Sequence, residues 1–158
     1  METTLGGFIP TLPRAAAKDQ HPRLLIIREE IEAIKAEAKA NIGLKMLLDS
    51  EILSAARRSW ARLAAGDVRL PAKDDNSGHA ALAREARIAA LGYAFSGDLS
   101  MAEAAKVILL AYAAQYKQYP LKTSYDGRVT YQTLNESPWL IDIAWTYDLI
   151  WDSGLLSD

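Results

Sequence analysis

Apolar residues recur three and four positions apart along most of this chain, and they do not alternate in the way a half-buried strand requires. Ile27, Ile31, Ile34 and Ala38 form one such stripe. Glu29, Glu30 and Glu32 stand near its start, where acidic side chains suit the positive end of a helix. Asn41 and Gly43 interrupt it. Leu44, Leu48, Ile52, Ala55 and Leu63 form a second stripe that closes near Gly66. The stretch "GDVRLPAKDDNSG" is loop by composition, with Asn76 or Ser77 as a turn residue or cap. An Ala-rich helix follows over "HAALAREARIAALGYAFSGD", ending at Gly97-Asp98, where one helix stops and the next starts. Then comes "LSMAEAAKVILLAYAAQYKQYP", apolar on almost every side from Val107 to Ala114 and ended by Pro120. A loop containing Gly127 leads to a last helix, with Ser137 as its expected N-cap and Pro138 in its first turn. The fold class is therefore all-α, built from antiparallel helical hairpins. A helix apolar all round must be covered on all sides.

Two boundaries frame this pattern. Residues 1–20 mix Gly, Pro, Thr and Ala without periodicity and are expected to form a flexible N-terminal extension. The ordered domain is expected over 21–158, opening on "HPRLLI" as an extended segment because Pro22 disfavours helix at His21. The N-terminus lacks the basic start and apolar stretch of a secretion signal. The chain is thus cytoplasmic if Met1 is the native start, or periplasmic or secreted if a signal has been removed.

Composition narrows the function classes. Half of the residues are hydrophobic and the formal charge is −2, so no whole-chain field points to nucleic acid. No uncharged run reaches membrane-spanning length. There is no cysteine and there are two histidines, which leaves no thiolate or His-rich metal site. No metal and no cofactor are expected.

The order and spacing of "HPRLLI", "LGYAFSGD…AEAA" and "TYQTLNESPWLIDIAWTYDLI" resemble the N-terminal helical part of the heparinase II/III-like polysaccharide lyases, a group that includes alginate and oligoalginate lyases. The resemblance implies part of an incomplete (α/α) toroid, a large β-sandwich domain missing from this chain, and β-elimination across a 4-linked uronate. It also implies an acidic polysaccharide or oligosaccharide as partner. The family's catalytic motifs lie further along its chains. The resemblance therefore makes this sequence an N-terminal fragment, inactive alone, with Ser157-Asp158 capping a helix that has been cut off.

That chemistry needs a group to hold the uronate carboxylate, a base to take the C5 proton and an acid to protonate the leaving O4. Side chains of the right type are His79, Tyr125, Arg128, Tyr131 and Asn135. Asn135, Trp139, Asp142 and Thr146 are spaced to share one helical face, on which an amide and an indole would suit a sugar ring, with the groove they line open. In the resemblance, Gln132 and Asn135 fall near the cleft. The proposed substrate-binding set is Asn135, Gln132, Trp139, Tyr131 and Arg128, with base and acid unassigned. The bland readings stand beside it: Asn135 and Ser137 as caps, Asp142 satisfying a backbone group, Tyr125 and Tyr131 packing over a helix end. Trp145, Tyr147 and Trp151 are expected in the core, and Asp148 is expected to accept from a turn or an arginine. From Lys106 to Arg128 there are four basic residues against one acid, which suits a polyanionic sugar as well as a solvated surface. Two other classes remain open. One is a hydrolase on a similar toroid using Glu136 and Asp142, which lie only six residues apart on one helix. The other is a helical interaction scaffold.

Overall fold

The computed structural model describes residues 20–64, 68–121 and 127–156. The described residues are helical throughout their regular structure, with no strand. After an extended lead-in from His21, α1 spans Arg28–Ala40, and the Glu30 carboxylate accepts from the Ile27 N–H at 3.0 Å at its start. Asn41 ends α1 and caps α2 (Ile42–Leu47), its side chain accepting from Leu44 N–H at 3.0 Å. The expected second stripe is one continuous rod: α2 passes through a π-helical segment, Leu48–Leu53, into α3 (Ser54–Leu63). The widened turn changes the face presented. α3 buries Ala56, Ser59 and Leu63, whereas α2 buries nothing and leaves Ile42, Met46 and Leu47 exposed.

α4 (Asn76–Ser96) is the central helix, packed against α3, α5 (Leu99–Tyr116) and α6 (Thr133–Ile150). Its alanines explain why it can be central. Ala83, Ala86, Ala89 and Ala90 are fully buried, so neighbouring helices approach it closely on more than one side. Gly92 marks the tightest approach. A Cβ there would stand 2.4 Å from Ala56 Cβ and 2.6 Å from Met101 Sδ, well inside contact distance. The α4–α5 turn follows the sequence: Gly97 ends α4 at φ 75°, a left-handed conformation that glycine adopts freely, and Asp98 caps α5 by accepting from Ser100 N–H at 3.0 Å. At the other end of α4 the cap is Asp75, not Asn76 or Ser77. Its carboxylate accepts from Gly78 N–H and the Ser77 hydroxyl.

α6 corrects the expected boundary. The helix starts at Thr133 with Gln132 in the cap position, and Ser137 is not a cap but donates its hydroxyl to the Thr133 carbonyl at 2.8 Å. Pro138 accordingly sits beyond the first turn, inside the helix. The bond it cannot make falls on the carbonyl of Leu134, a residue 75% exposed. The buried face of α6 includes Glu136, Trp139, Thr146, Asp148, Leu149 and Ile150. Trp151 and Tyr147, expected in the core, are 42% and 45% exposed, and Trp145 is half-buried under the Arg87 guanidinium.

The start of the described chain is tied to the end of α6. Asp148 is buried, and its carboxylate receives His21 Nδ1 at 2.6 Å and the backbone N–H groups of Arg23 and Leu24 at 2.7 and 2.8 Å. A carboxylate can only accept, so His21 carries its ring proton on Nδ1. The His21 ring stacks on Trp151, and Arg28 bridges the His21 carbonyl and Asp152.

Candidate functional site

The residues expected to meet substrate gather where the 127–132 loop enters α6. The loop is tight. At Gly127 a Cβ would lie 2.4 Å from the Thr130 carbonyl oxygen and 2.8 Å from Gln132 N, so no larger residue fits. Its organiser is Glu136. This carboxylate is buried and accepts from Arg128 N–H at 2.6 Å, Val129 N–H at 3.1 Å and the Tyr116 hydroxyl at 3.1 Å. An acid in the first turns of a helix is also favoured by the helix dipole. Burial, then the Glu136 charge, pushes the Tyr116 hydroxyl above the ordinary tyrosine range, so it stays protonated and donates.

Arg128 is half-buried, lies over the Tyr116 ring at 5.9 Å and donates Nη1 to the Tyr119 carbonyl at 2.9 Å. Among the described residues no carboxylate forms an ion pair with its guanidinium, because Glu136 takes the backbone N–H instead. Tyr131 is exposed. The Gln132 carbonyl accepts from Asn135 N–H, Glu136 N–H and the Thr130 hydroxyl. The Asn135 side chain is exposed and does not cap the helix. Chain continuity thus brings Arg128, Tyr131, Gln132 and Asn135 to one end of α6. The expected open face of Asn135, Trp139 and Asp142 does not form. Trp139 is 3% exposed, packed edge-on to Tyr112 at 5.0 Å and stacked on Tyr116 at 5.8 Å. Asp142 is paired with Arg87 at 2.6 Å, and Thr146 bonds back to the Asp142 carbonyl.

Beneath this end lies a buried polar cluster. His79 is fully buried, with Nδ1 2.9 Å from the Tyr112 hydroxyl. Burial holds His79 below the usual histidine range, with the Ala72 carbonyl and Asp75 pulling the other way. Tyr112 is pushed well above the tyrosine range by burial, and the Trp139 indole acts against that shift. Neither His79 Nε2 nor Trp139 Nε1 has a partner in full hydrogen-bond geometry, although the Ala72 carbonyl acts on the His79 ring and the Trp139 indole on the Tyr112 hydroxyl. A neutral His79 in this setting supports the fold. Tyr125 lies outside the described residues. Among the described residues no group of three or more His, Asp or Glu could hold a metal ion, and no helix is long and apolar enough to cross a membrane.

On the outer side of α5 and α6 lies an apolar groove of about 550 Å³, lined by Leu109, Leu110, Tyr116, Leu140, Ile143 and Tyr147 among others. Leu110 and Leu140 are more than half exposed there. This is the uncovered side of the two helices whose sequences are apolar nearly all round.

Sequence reasoning missed Glu136 as the loop's anchor and His79 as a core residue. The signal for Glu136 was an acid in the first turns of a helix directly after a glycine-containing loop. His79 gave no usable signal, because its burial depends on residues distant in sequence, Tyr112 of α5 and Tyr119, packing against its ring.

No protein-family model matches the chain. Over an alignment of 168 positions it is 28% identical to an exo-oligoalginate lyase of Saccharophagus degradans, an alignment that takes in 99% of this chain and 22% of that enzyme. The chain therefore spans about a fifth of the length of the curated relative it matches.

Proposed function

We propose that this chain is the N-terminal helical part of a polysaccharide lyase acting on a uronate-containing polysaccharide, and that it has no turnover alone. The observation that carries the reading is the similarity to an exo-oligoalginate lyase along 99% of the chain but only 22% of the enzyme. The all-helical fold agrees with it. So does the open apolar groove on α5 and α6, which further hairpins of an (α/α) toroid would cover. The β-sandwich domain expected from the resemblance belongs to the same proposal.

In β-elimination the C5–H and C4–O bonds break and a C4=C5 double bond forms. A base takes the C5 proton, an acid protonates the departing O4, and no water is consumed. The first requirement is to neutralise the uronate carboxylate, since that makes the C5 proton acidic. Arg128 and the Asn135 amide supply that function at the head of α6, with Gln132 and Tyr131 beside them. Trp139 contributes from behind, as the ring under Tyr116. Base and acid come from outside this chain. The hydrolase alternative is disfavoured by the engagement of both its carboxylates: Glu136 already accepts three bonds and Asp142 is paired with Arg87.

The test is calorimetric binding of an alginate oligosaccharide to the purified chain, with ultraviolet detection of unsaturated ends. Binding without unsaturated product is expected. Asn135→Ala should weaken binding by about 1.5–3 kcal/mol, as for loss of one hydrogen bond to a charged group. It should change stability by no more than about 0.5 kcal/mol, because the side chain is exposed and caps nothing. New reducing ends without ultraviolet absorbance would turn the reading to a hydrolase. No binding at all would turn it to a scaffold.

A further inference from the structure

We infer that Glu136 is a positioning residue that sets Arg128 to receive a planar carboxylate of the ligand; this rests on the uronate reading above. The argument is geometric. Glu136 is on α6, yet all three of its bonds go elsewhere: two to consecutive backbone N–H groups of the 127–132 loop, one to Tyr116 on α5. It therefore fixes both the backbone from which Arg128 projects and the ring over which the guanidinium lies. The arginine is held from a third side by the Tyr119 carbonyl on Nη1. A guanidinium held over an aromatic face at 5.9 Å, with one nitrogen anchored, has few orientations left, and its remaining N–H groups are donors suited to a carboxylate.

The placement of the negative charge matters as much as the restraint. A buried acid this near an arginine would ordinarily pair with the guanidinium and cancel its charge. Here the carboxylate is occupied by backbone N–H groups and a hydroxyl, and among the described residues Arg128 keeps its charge without an ion pair. Gly127 keeps the arrangement compact, since the loop folds back to within contact of its own Thr130 carbonyl. The selectivity that follows is for a carboxylated sugar over the same sugar without its charge.

The experiment is a double-mutant cycle read by calorimetric titration of an alginate oligosaccharide and of the same oligosaccharide with its carboxyl groups reduced to alcohols. The variants are Glu136→Gln, Arg128→Ala and both together, on the full chain. Glu136→Gln keeps shape but loses the charge that orders the loop. The wild type is expected to prefer the acidic ligand. Each single variant should lose about tenfold in affinity for it, equivalent to about 1.4 kcal/mol, with little change for the reduced ligand. The double variant should be no weaker than either single one, because Glu136 acts through Arg128. Additive losses, equal losses for both ligands, or a Glu136→Gln protein that binds like wild type while Arg128→Ala does not would each overturn the assignment and leave the uronate reading intact. A wild type that binds neither ligand overturns both. Should Glu136→Gln fail to fold, Tyr116→Phe replaces it in the cycle: it removes one bond to Glu136 and keeps the ring under Arg128, and the same non-additivity is expected at a smaller loss.

Discussion

Removing the Asp148 carboxylate should be the most destabilising single truncation at the junction of chain start and α6. The group is 2% exposed and accepts three bonds, from His21 Nδ1 and the N–H groups of Arg23 and Leu24, at 2.6–2.8 Å. A hydrogen bond to a charged group contributes about 1.5–3 kcal/mol, so the three together represent roughly 4.5–9 kcal/mol before the cost of keeping a carboxylate out of water is subtracted. That cost is several kcal/mol, and truncating one side of a buried pair typically destabilises by about 3–5 kcal/mol. Asp148→Ala is placed there, since it also strands two backbone donors. For a chain of this length the loss corresponds to a melting temperature lower by roughly 6–20 °C, at about 2–4 °C per kcal/mol. Asp148→Asn should lose less: its amide oxygen still serves both backbone N–H groups, while its NH₂ must face His21 and forces the other tautomer. His21→Ala should fall between these and wild type, giving up one bond and the stack on Trp151. Urea unfolding reads all three, with the midpoint moving at constant slope. If Asp148→Ala cost under about 1 kcal/mol, the value of an exposed ion pair, the junction would not be the buried anchor described here.

His79 should make the fold acid-sensitive. Its folded pKa lies below the unfolded 6.5, so the unfolded chain binds the proton first; the neutral form's stability is complete above that pH and declines as pH falls through it. The urea midpoint of wild type should fall relative to that of His79→Phe as pH goes from 8 to 5, and parallel curves would refute the buried neutral imidazole. Gly92→Ala should destabilise by about 1–3 kcal/mol through overpacking against Ala56, despite the roughly 1 kcal/mol that alanine gains over glycine in a helix. Thermal unfolding of the variant decides it, a raised melting temperature arguing against close contact of α3 and α4.

The helices were legible because their signals are local. The stripe from Ile27 to Ala38, the break at Asn41 and the Gly97-Asp98 stop and start all survive in the structure with their expected caps or neighbours. The start of α6 was misread because Ser137-Pro138 is a strong N-terminal signal. The clamp of Glu136 on the loop instead begins the helix a turn earlier. Which side of α6 faces inward was illegible for a related reason. With apolar residues all round, the helix is oriented by its polar anchors, Glu136 and Asp148, and their partners lie on α5, in the preceding loop and at His21. Those partners also decide why Trp139 is buried while Tyr147 is exposed. The loop residues proposed to meet substrate were chosen by residue type and resemblance, and Glu136, which anchors the loop, could be found only once Arg128 and Tyr116 stood beside it.

The π-helical segment Leu48–Leu53 has a consequence for how this rod tolerates change in length. Each helical residue advances the side-chain direction by roughly 100°, so one extra residue in a widened turn re-phases everything before it while leaving the axis continuous. The rod from Ile42 to Leu63 therefore behaves as two independently indexed faces on one shaft, α3 turned inward and α2 outward. A single-residue insertion or deletion between Ile42 and Leu47 therefore changes only which side α2, which buries nothing, offers to its surroundings, and leaves the buried face of α3 in phase.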